Sequence, residues 1–179
     1  MSQKFLLIAF SKDRPGIVAD ISQVIYENGF NLEDSSMTYL AGEFAILLLL
    51  SVPSNGDENT IMEKLSSECR RLEREKNITA YVTPVSGEQP KLQKDVMVKT
   101  IIVEGMDQSG IVYKISKFLA DSGINIRTLS SEVRLSPQSG TELYCMTIVV
   151  EIPGSLAIGR VEDGLGVIGD QLNVDITLS

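Results

Sequence analysis

DRPGIVADISQVIYENGFNL, residues 13–32, returns 94 positions later as DQSGIVYKISKFLADSGINI, residues 107–126. Eight of the twenty aligned positions are identical, at Asp13/Asp107, Gly16/Gly110, Ile17/Ile111, Val18/Val112, Ile21/Ile115, Ser22/Ser116, Gly29/Gly123 and Asn31/Asn125, where composition alone gives roughly one. The chain is therefore a tandem repeat. Within each copy the stretch reads as a turn followed by a helix. Ile17, Val18, Ile21, Val24 and Ile25 recur at helical spacing, Pro15 suits the first helical turn and Gly29 the left-handed stop.

Outward from this helix, Lys4 to Phe10 is a short apolar run that reads as a buried strand. Asn31 to Tyr39 and Glu43 to Val52 form a hairpin turning near Ala41-Gly42. A second helix is opened by Thr60 with Glu63 three positions on, a capping-box spacing, and it buries Ile61, Leu65, Cys69 and Leu72. Asn77 to Thr83 closes the unit as a strand. The second copy runs in the same order through residues 96–104, 109–122, 125–135, 141–152, 155–170 and 173–178. Extra residues around Pro137 to Gly140 read as a longer hairpin loop. Gly159, Gly164, Gly166 and Gly169 each cost about 1 kcal/mol inside a helix, so the last helix is expected to be short, frayed or interrupted.

Strand, helix, hairpin, helix, strand is the split βαβ plan: an α+β fold of two ferredoxin-like βαββαβ domains, each an antiparallel sheet with its helices on one face. The boundaries fall at 1–84 for the first domain, 85–95 for a linker containing Gly87 and Pro90, and 96–179 for the second. The plan leaves one sheet face open. Yet Phe44 to Leu50 is apolar at every position instead of alternating, the pattern of a strand covered on both sides. The two copies, or two chains as a homodimer, are expected to pack together.

Composition excludes several function classes. The 179 residues include no histidine, which removes the commonest general base near neutral pH and every nucleophile that depends on one. Cys69 and Cys145 stand far apart, with neither a C-x-x-C pair nor a histidine to complete a metal site. Sixteen Lys and Arg against 24 Asp and Glu leave a net charge of −8, which repels phosphate backbones; direct nucleic-acid binding is not expected. The run Gly164-x-Gly166-x-x-Gly169 has dinucleotide-binding spacing but follows no strand-turn opening. Apolar runs are too short to cross a bilayer and Met1 to Phe10 lacks a signal-cleavage site, so the chain is placed in the cytoplasm. An enzymatic reading would have to rest on Asp13 and Asp107 alone, and no cofactor is expected.

Asp13-Arg14-Pro15-Gly16-Ile17-Val18, followed by Gly29-Phe30-Asn31, resembles the signature of ACT domains. Asp107-Gln108-Ser109-Gly110-Ile111-Val112 and Gly123-Ile124-Asn125 show it less fully. Two such units without a catalytic domain are similar to the glycine cleavage system transcriptional repressor family. The resemblance implies an amino-acid effector, glycine among the candidates, and regulation through a protein partner such as a transcription factor. It also implies that the effector is surrounded, at an interface between units, by positions matching Ser11, Asp13 and Asn31, and Gly105, Asp107 and Asn125.

Chemistry supports such a site: Gly16 and Gly110 open helix N-termini that favour a carboxylate, Asp13 is suited to an ammonium group, and Asn31 supplies donor and acceptor near the same turn. Arg14 and Pro15 belong to the same candidate turn. Each residue also has an ordinary role open to it: Asp13 or Arg14 as a cap, Gly16 for close packing, Asn31 as a tie within its own turn. The replacement of Arg14 and Pro15 by Gln108 and Ser109 makes the two sites unequal. The alternative function is a ligand-independent dimerisation module regulating an enzyme of amino acid metabolism.

Overall fold

A computed structural model describes residues 3–52, 57–85, 95–106, 109–135 and 140–179. The chain divides into two compact units, Met1–Pro90 and Lys91–Ser179. Most of the expected linker, residues 86–94, lies outside the described residues, as do Asp107, Gln108 and residues 136–139 of the longer hairpin loop.

The first unit runs β1 (Gln3–Lys12), α1 (Ile17–Glu27), β2 (Asn31–Leu40), β3 (Glu43–Val52), α2 (Glu58–Lys76) and β4 (Thr79–Pro84). The second repeats it as β5 (Val96–Gly105), α3 (Ile111–Asp121), β6 (Asn125–Leu135), β7 (Glu142–Pro153), α4 (Ile158–Leu172) and β8 (Val174–Leu178). Each unit is a four-stranded antiparallel sheet, ordered β2-β3-β1-β4 and β6-β7-β5-β8: the α+β, ferredoxin-like plan expected from the repeat. Even the irregularities recur. A bulge interrupts the hairpin register between Leu32 and Asp34 in one copy and between Ile126 and Thr128 in the other.

Strand alternation places Phe5, Leu7 and Ala9 of β1 with Phe44, Ile46, Leu48 and Leu50 of β3 against the helices, where Ile17, Ile21, Leu65 and Leu72 complete the core. The second unit has its own core around Ile101, Ile115, Leu119, Ile148 and Leu165. The hairpin turn of the first unit has both central residues left-handed, Ala41 at φ 53° and Gly42 at φ 85°, the geometry that matches strand twist in a two-residue connection.

Three expectations change. The cap of α2 is Asp57, whose carboxylate accepts from the Thr60 amide at 3.3 Å; Thr60 lies inside the helix, because the negative Asp57 side chain is already placed on the free amides of the first turn. Pro15 precedes the N-cap, Gly16, and so stands outside the helix it was expected to open. The α4 helix is continuous over fifteen residues. Tertiary contact explains two of its glycines: a Cβ on Gly164 would sit 2.4 Å from the Phe118 ring, and one on Gly169 would sit 2.9 Å from the Val174 carbonyl oxygen. Helix propensity there yields to close packing.

The apolar run in β3 is covered on one face only within its unit. Leu47 remains 43% exposed and Ala45 and Leu49 are half-buried, on the sheet face away from the helices. No described helix is long and apolar enough to cross a membrane.

Candidate functional site

The β1–α1 turn is built by strand and helix together. Antiparallel pairing ends at Lys12 opposite Glu43, and the Asp13 amide then donates to the Gly42 carbonyl at 2.9 Å, fastening the turn to the hairpin tip. Ser11 is buried, with its hydroxyl donating to the Lys12 carbonyl at 3.1 Å. Pro15 and Asp13 are exposed, and the Asp13 carboxylate has no hydrogen bond or ion pair with any described residue.

Gly16 follows at φ 93°, in the left-handed region. Its carbonyl accepts from the Asp20 amide at 2.9 Å, starting α1, and no side chain caps the helix. The first amides of α1 thus have no side-chain oxygen on them, at the positive end of the helix dipole. Gly110 repeats the arrangement at φ 99°, again without a side-chain cap, and accepts from the Lys114 amide at 2.9 Å.

Arg14 is committed elsewhere. Its guanidinium donates to Asp20 at 2.7 Å and to the Lys76 carbonyl at 3.2 Å, while the Lys76 ammonium pairs with the other Asp20 oxygen at 3.1 Å. It clasps the turn to the C-terminal end of α2. Asp20 and Lys76 also line a cleft of about 290 Å³ between α1 and α2, with Gln23, Glu27, Arg71 and Glu75. The charges around it are largely paired internally, Arg71 with Glu27 at 3.4 Å and with Glu68 at 2.9 Å.

The Arg14 guanidinium, and then Lys76, hold the Asp20 carboxyl below its ordinary value. A carboxyl lowered in the folded state stabilises the fold above its unfolded value near 3.9 and loses that contribution as pH falls through its folded value. The urea midpoint of Asp20→Asn should therefore lie below that of the unaltered chain by a constant margin above about pH 5, a margin that shrinks below about pH 4. A margin independent of pH down to full protonation would contradict the clasp.

Asn31 is not part of this turn. It pairs with Ser51, which pairs with Lys4, whereas Ser11 lies seven residues further along β1, about 23 Å away at about 3.3 Å per residue. The helix returns the chain to the start of β1 before β2 begins, so the two ends of α1 cannot serve one site within a unit. Asn125 behaves likewise: it pairs in register with Glu151, and its amide donates to that carboxylate at 3.0 Å. Gly105 also has a structural reason. A Cβ there would lie 2.5 Å from Val174 Cγ1. Asp107 falls outside the described residues. Sequence reasoning missed Asp20 and Lys76, since nothing local links Arg14 to a residue 62 positions on.

Residues 3–79 match the family model of the ACT domain. The first unit is an ACT domain. A UPF0237 protein of Methanopyrus kandleri is 36% identical over 70 residues, 39% of this chain and 74% of that protein. Over both units, the chain is 27% identical across 176 residues to the glycine cleavage system transcriptional repressor of Escherichia coli strain K12, covering 96% of this chain and 87% of that protein. The solved structure of an unknown protein from Galdieria sulphuraria superposes with a TM-score of 0.81 at 28% identity, covering all of this chain and 98% of that one. The two-unit fold is thus shared with that structure along essentially the full length.

Proposed function

We propose that this ACT-domain protein is a cytoplasmic, amino-acid-responsive regulator of the glycine cleavage repressor type, acting through a protein partner. The observation that carries the reading is the uncapped N-terminus of α1 beside an exposed, unengaged Asp13. An amino acid zwitterion offers the opposite charges: its carboxylate meets the free amides behind Gly16 and its ammonium meets Asp13. The similarity to a transcriptional repressor over 96% of the chain supports regulation as the role. A net charge of −8 supports a protein, for example a transcription factor, as the contact to DNA. Glycine is the effector this reading favours, in keeping with the similarity to a glycine cleavage system repressor. The likewise uncapped helix N-terminus at Gly110 marks the second site, weaker because Gln108 and Ser109 replace Arg14 and Pro15.

Calorimetry with a panel of amino acids tests this. Glycine or another small amino acid should bind the unaltered chain, and Asp13→Ala should weaken that binding at least tenfold, the loss of a charge-assisted bond of about 1.5–3 kcal/mol. Absence of heat and of thermal shift with every amino acid would overturn it.

A second reading, a ligand-independent interaction module acting on an enzyme of amino acid metabolism, is favoured by the exposed apolar residues on the open face of the first sheet. Under that reading Asp13→Ala leaves partner binding intact and no amino acid alters it.

A further inference from the structure

The open faces of the two sheets differ in character. Alternation puts Leu6, Ile8 and Phe10 of β1, Ala45, Leu47 and Leu49 of β3 and Tyr81 of β4 on this face of the first unit, in register with one another. The corresponding face of the second unit carries Thr100, Ile102 and Glu104 of β5, Cys145, Thr147 and Val149 of β7 and Thr177 of β8. Helix-facing positions stayed apolar in both copies, so general drift does not explain the contrast.

The first unit's face also has relief. Phe10 stands 44% exposed near one end, and Lys12, two residues on along the same side of β1, is exposed without an ion pair to any described residue. Glu43 is its register neighbour, not its partner in an ion pair. Toward the other end lies a hollow of about 120 Å³ lined by Leu6, Ser36, Leu47, Leu49 and Asp34. Among the described residues, exposed Asp34 accepts only from the Ser35 amide, at 2.8 Å, within its own strand.

Asp34 is opposite Leu49, which is opposite Leu6, six residues down β1 from Lys12. Lys12 and Asp34 are therefore separated by about 20 Å along the strands and about 10 Å across them. Phe10 lies two residues inward of Lys12 on β1, and the hollow adjoins Asp34 at the opposite corner. A two-fold axis in the plane of the face, crossing the line from Lys12 to Asp34 at its midpoint, carries Lys12 onto Asp34 and Phe10 onto the hollow in the same operation.

We propose that this face is a homodimer interface in which Phe10 of each copy fills the hollow of the other and Lys12 of each copy pairs with Asp34 of the other. The occupant is a second copy because knob and hole, cation and anion, lie on one surface in the arrangement an isologous contact requires. The second unit has neither part: Phe10, Lys12 and Asp34 correspond to Glu104, Met106 and Thr128. The interface is independent of amino-acid binding at the β1–α1 turn.

Sedimentation velocity on the full chain tests it. The unaltered chain should dimerise, Phe10→Ala should weaken dimerisation at least a hundredfold, and Lys12→Asp and Asp34→Lys about tenfold each, since each pair occurs twice. The combined Lys12→Asp, Asp34→Lys chain should recover, because the charges are exchanged; Thr147→Lys in the second unit should have no effect. Circular dichroism of each variant checks the fold, and all the substituted groups are at least partly exposed. A chain that stays monomeric at about 1 mM, the weak end of specific affinity, would overturn the proposal. So would a dimer unchanged by Phe10→Ala, or one weakened by each charge reversal without recovery in the combination.

Discussion

Gly105→Ala is expected to destabilise the second unit by about 3 kcal/mol, the upper part of the range for overpacking a filled core. The methyl would lie 2.5 Å from Val174 Cγ1, 2.9 Å from its Cβ and 3.1 Å from its Cα. A flexible chain end could swing aside. Val174 is β-branched, it pairs with Gly105 itself in the β5–β8 register, and its backbone is one of the obstructing groups. Relief therefore requires the two strands to separate. Hydrogen exchange measures this unit by unit: protection should fall across β5, β7 and β8 and remain unchanged across β1, β3 and β4. The position also separates packing from ligand binding. The resemblance to ACT domains placed Gly105 at an effector site, yet its lack of a side chain is explained by the strand beside it. Loss of amino-acid response at the first site in Gly105→Ala would count against that explanation.

Gly16→Val is expected to cost about 2–3 kcal/mol and to abolish amino-acid binding at the first turn. No steric collision is involved, since the nearest atom to an added Cβ is Arg14 Nη1 at 3.8 Å. The cost lies in the backbone: φ is 93°, and a β-branched residue in that region is strained by about 1–3 kcal/mol, with further loss if the turn relaxes. Relaxation would move the first amides of α1 away from Asp13. It would also pull on Arg14, which bridges this turn to Asp20 and the end of α2. Urea unfolding measures the first effect and calorimetry the second. Retained binding in a destabilised chain would show that the helix N-terminus is not where the carboxylate sits. Gly110→Val should show a similar stability cost, φ there being 99° with open space around it.

The two proposed features share one strand without depending on one another. The turn is at one end of β1 and the proposed dimer face runs along the same strand, through Phe10 and Lys12. Cys69, by contrast, takes no part: burial pushes its thiol up to about 11, leaving it unreactive near neutral pH.

Much of the fold was legible in the chain itself. Helical periodicity in Ile17 to Ile25 and the short apolar run of Lys4 to Phe10 are local properties, so element order and type could be read directly, and the 94-residue repeat doubled each signal. Gly42 marked the hairpin because its φ of 85° suits few residues other than glycine. The candidate turn was legible for the same reason, Gly16 being a statement about its own backbone. Asn31 misled because a repeated identity says that a residue matters and not where it points; its distance from Asp13 is fixed by the length of β1 and by the antiparallel return of α1, which become apparent only in the assembled sheet.

Sequence alone determined that there are two α+β units of one design, which faces of the first unit's helices enter its core, and that Gly16 stands at the opening of a helix. These follow from periodicity and from the steric limits on single residues. Tertiary structure decided the rest: that Arg14 clasps Asp20 and Lys76, that the glycines of α4 admit Phe118 and Val174 and leave the helix continuous, and that Phe10, Lys12, Asp34 and a hollow share one open face. Each depends on groups remote in the chain and brought together by strand pairing, for which no local pattern in the chain carries a signal.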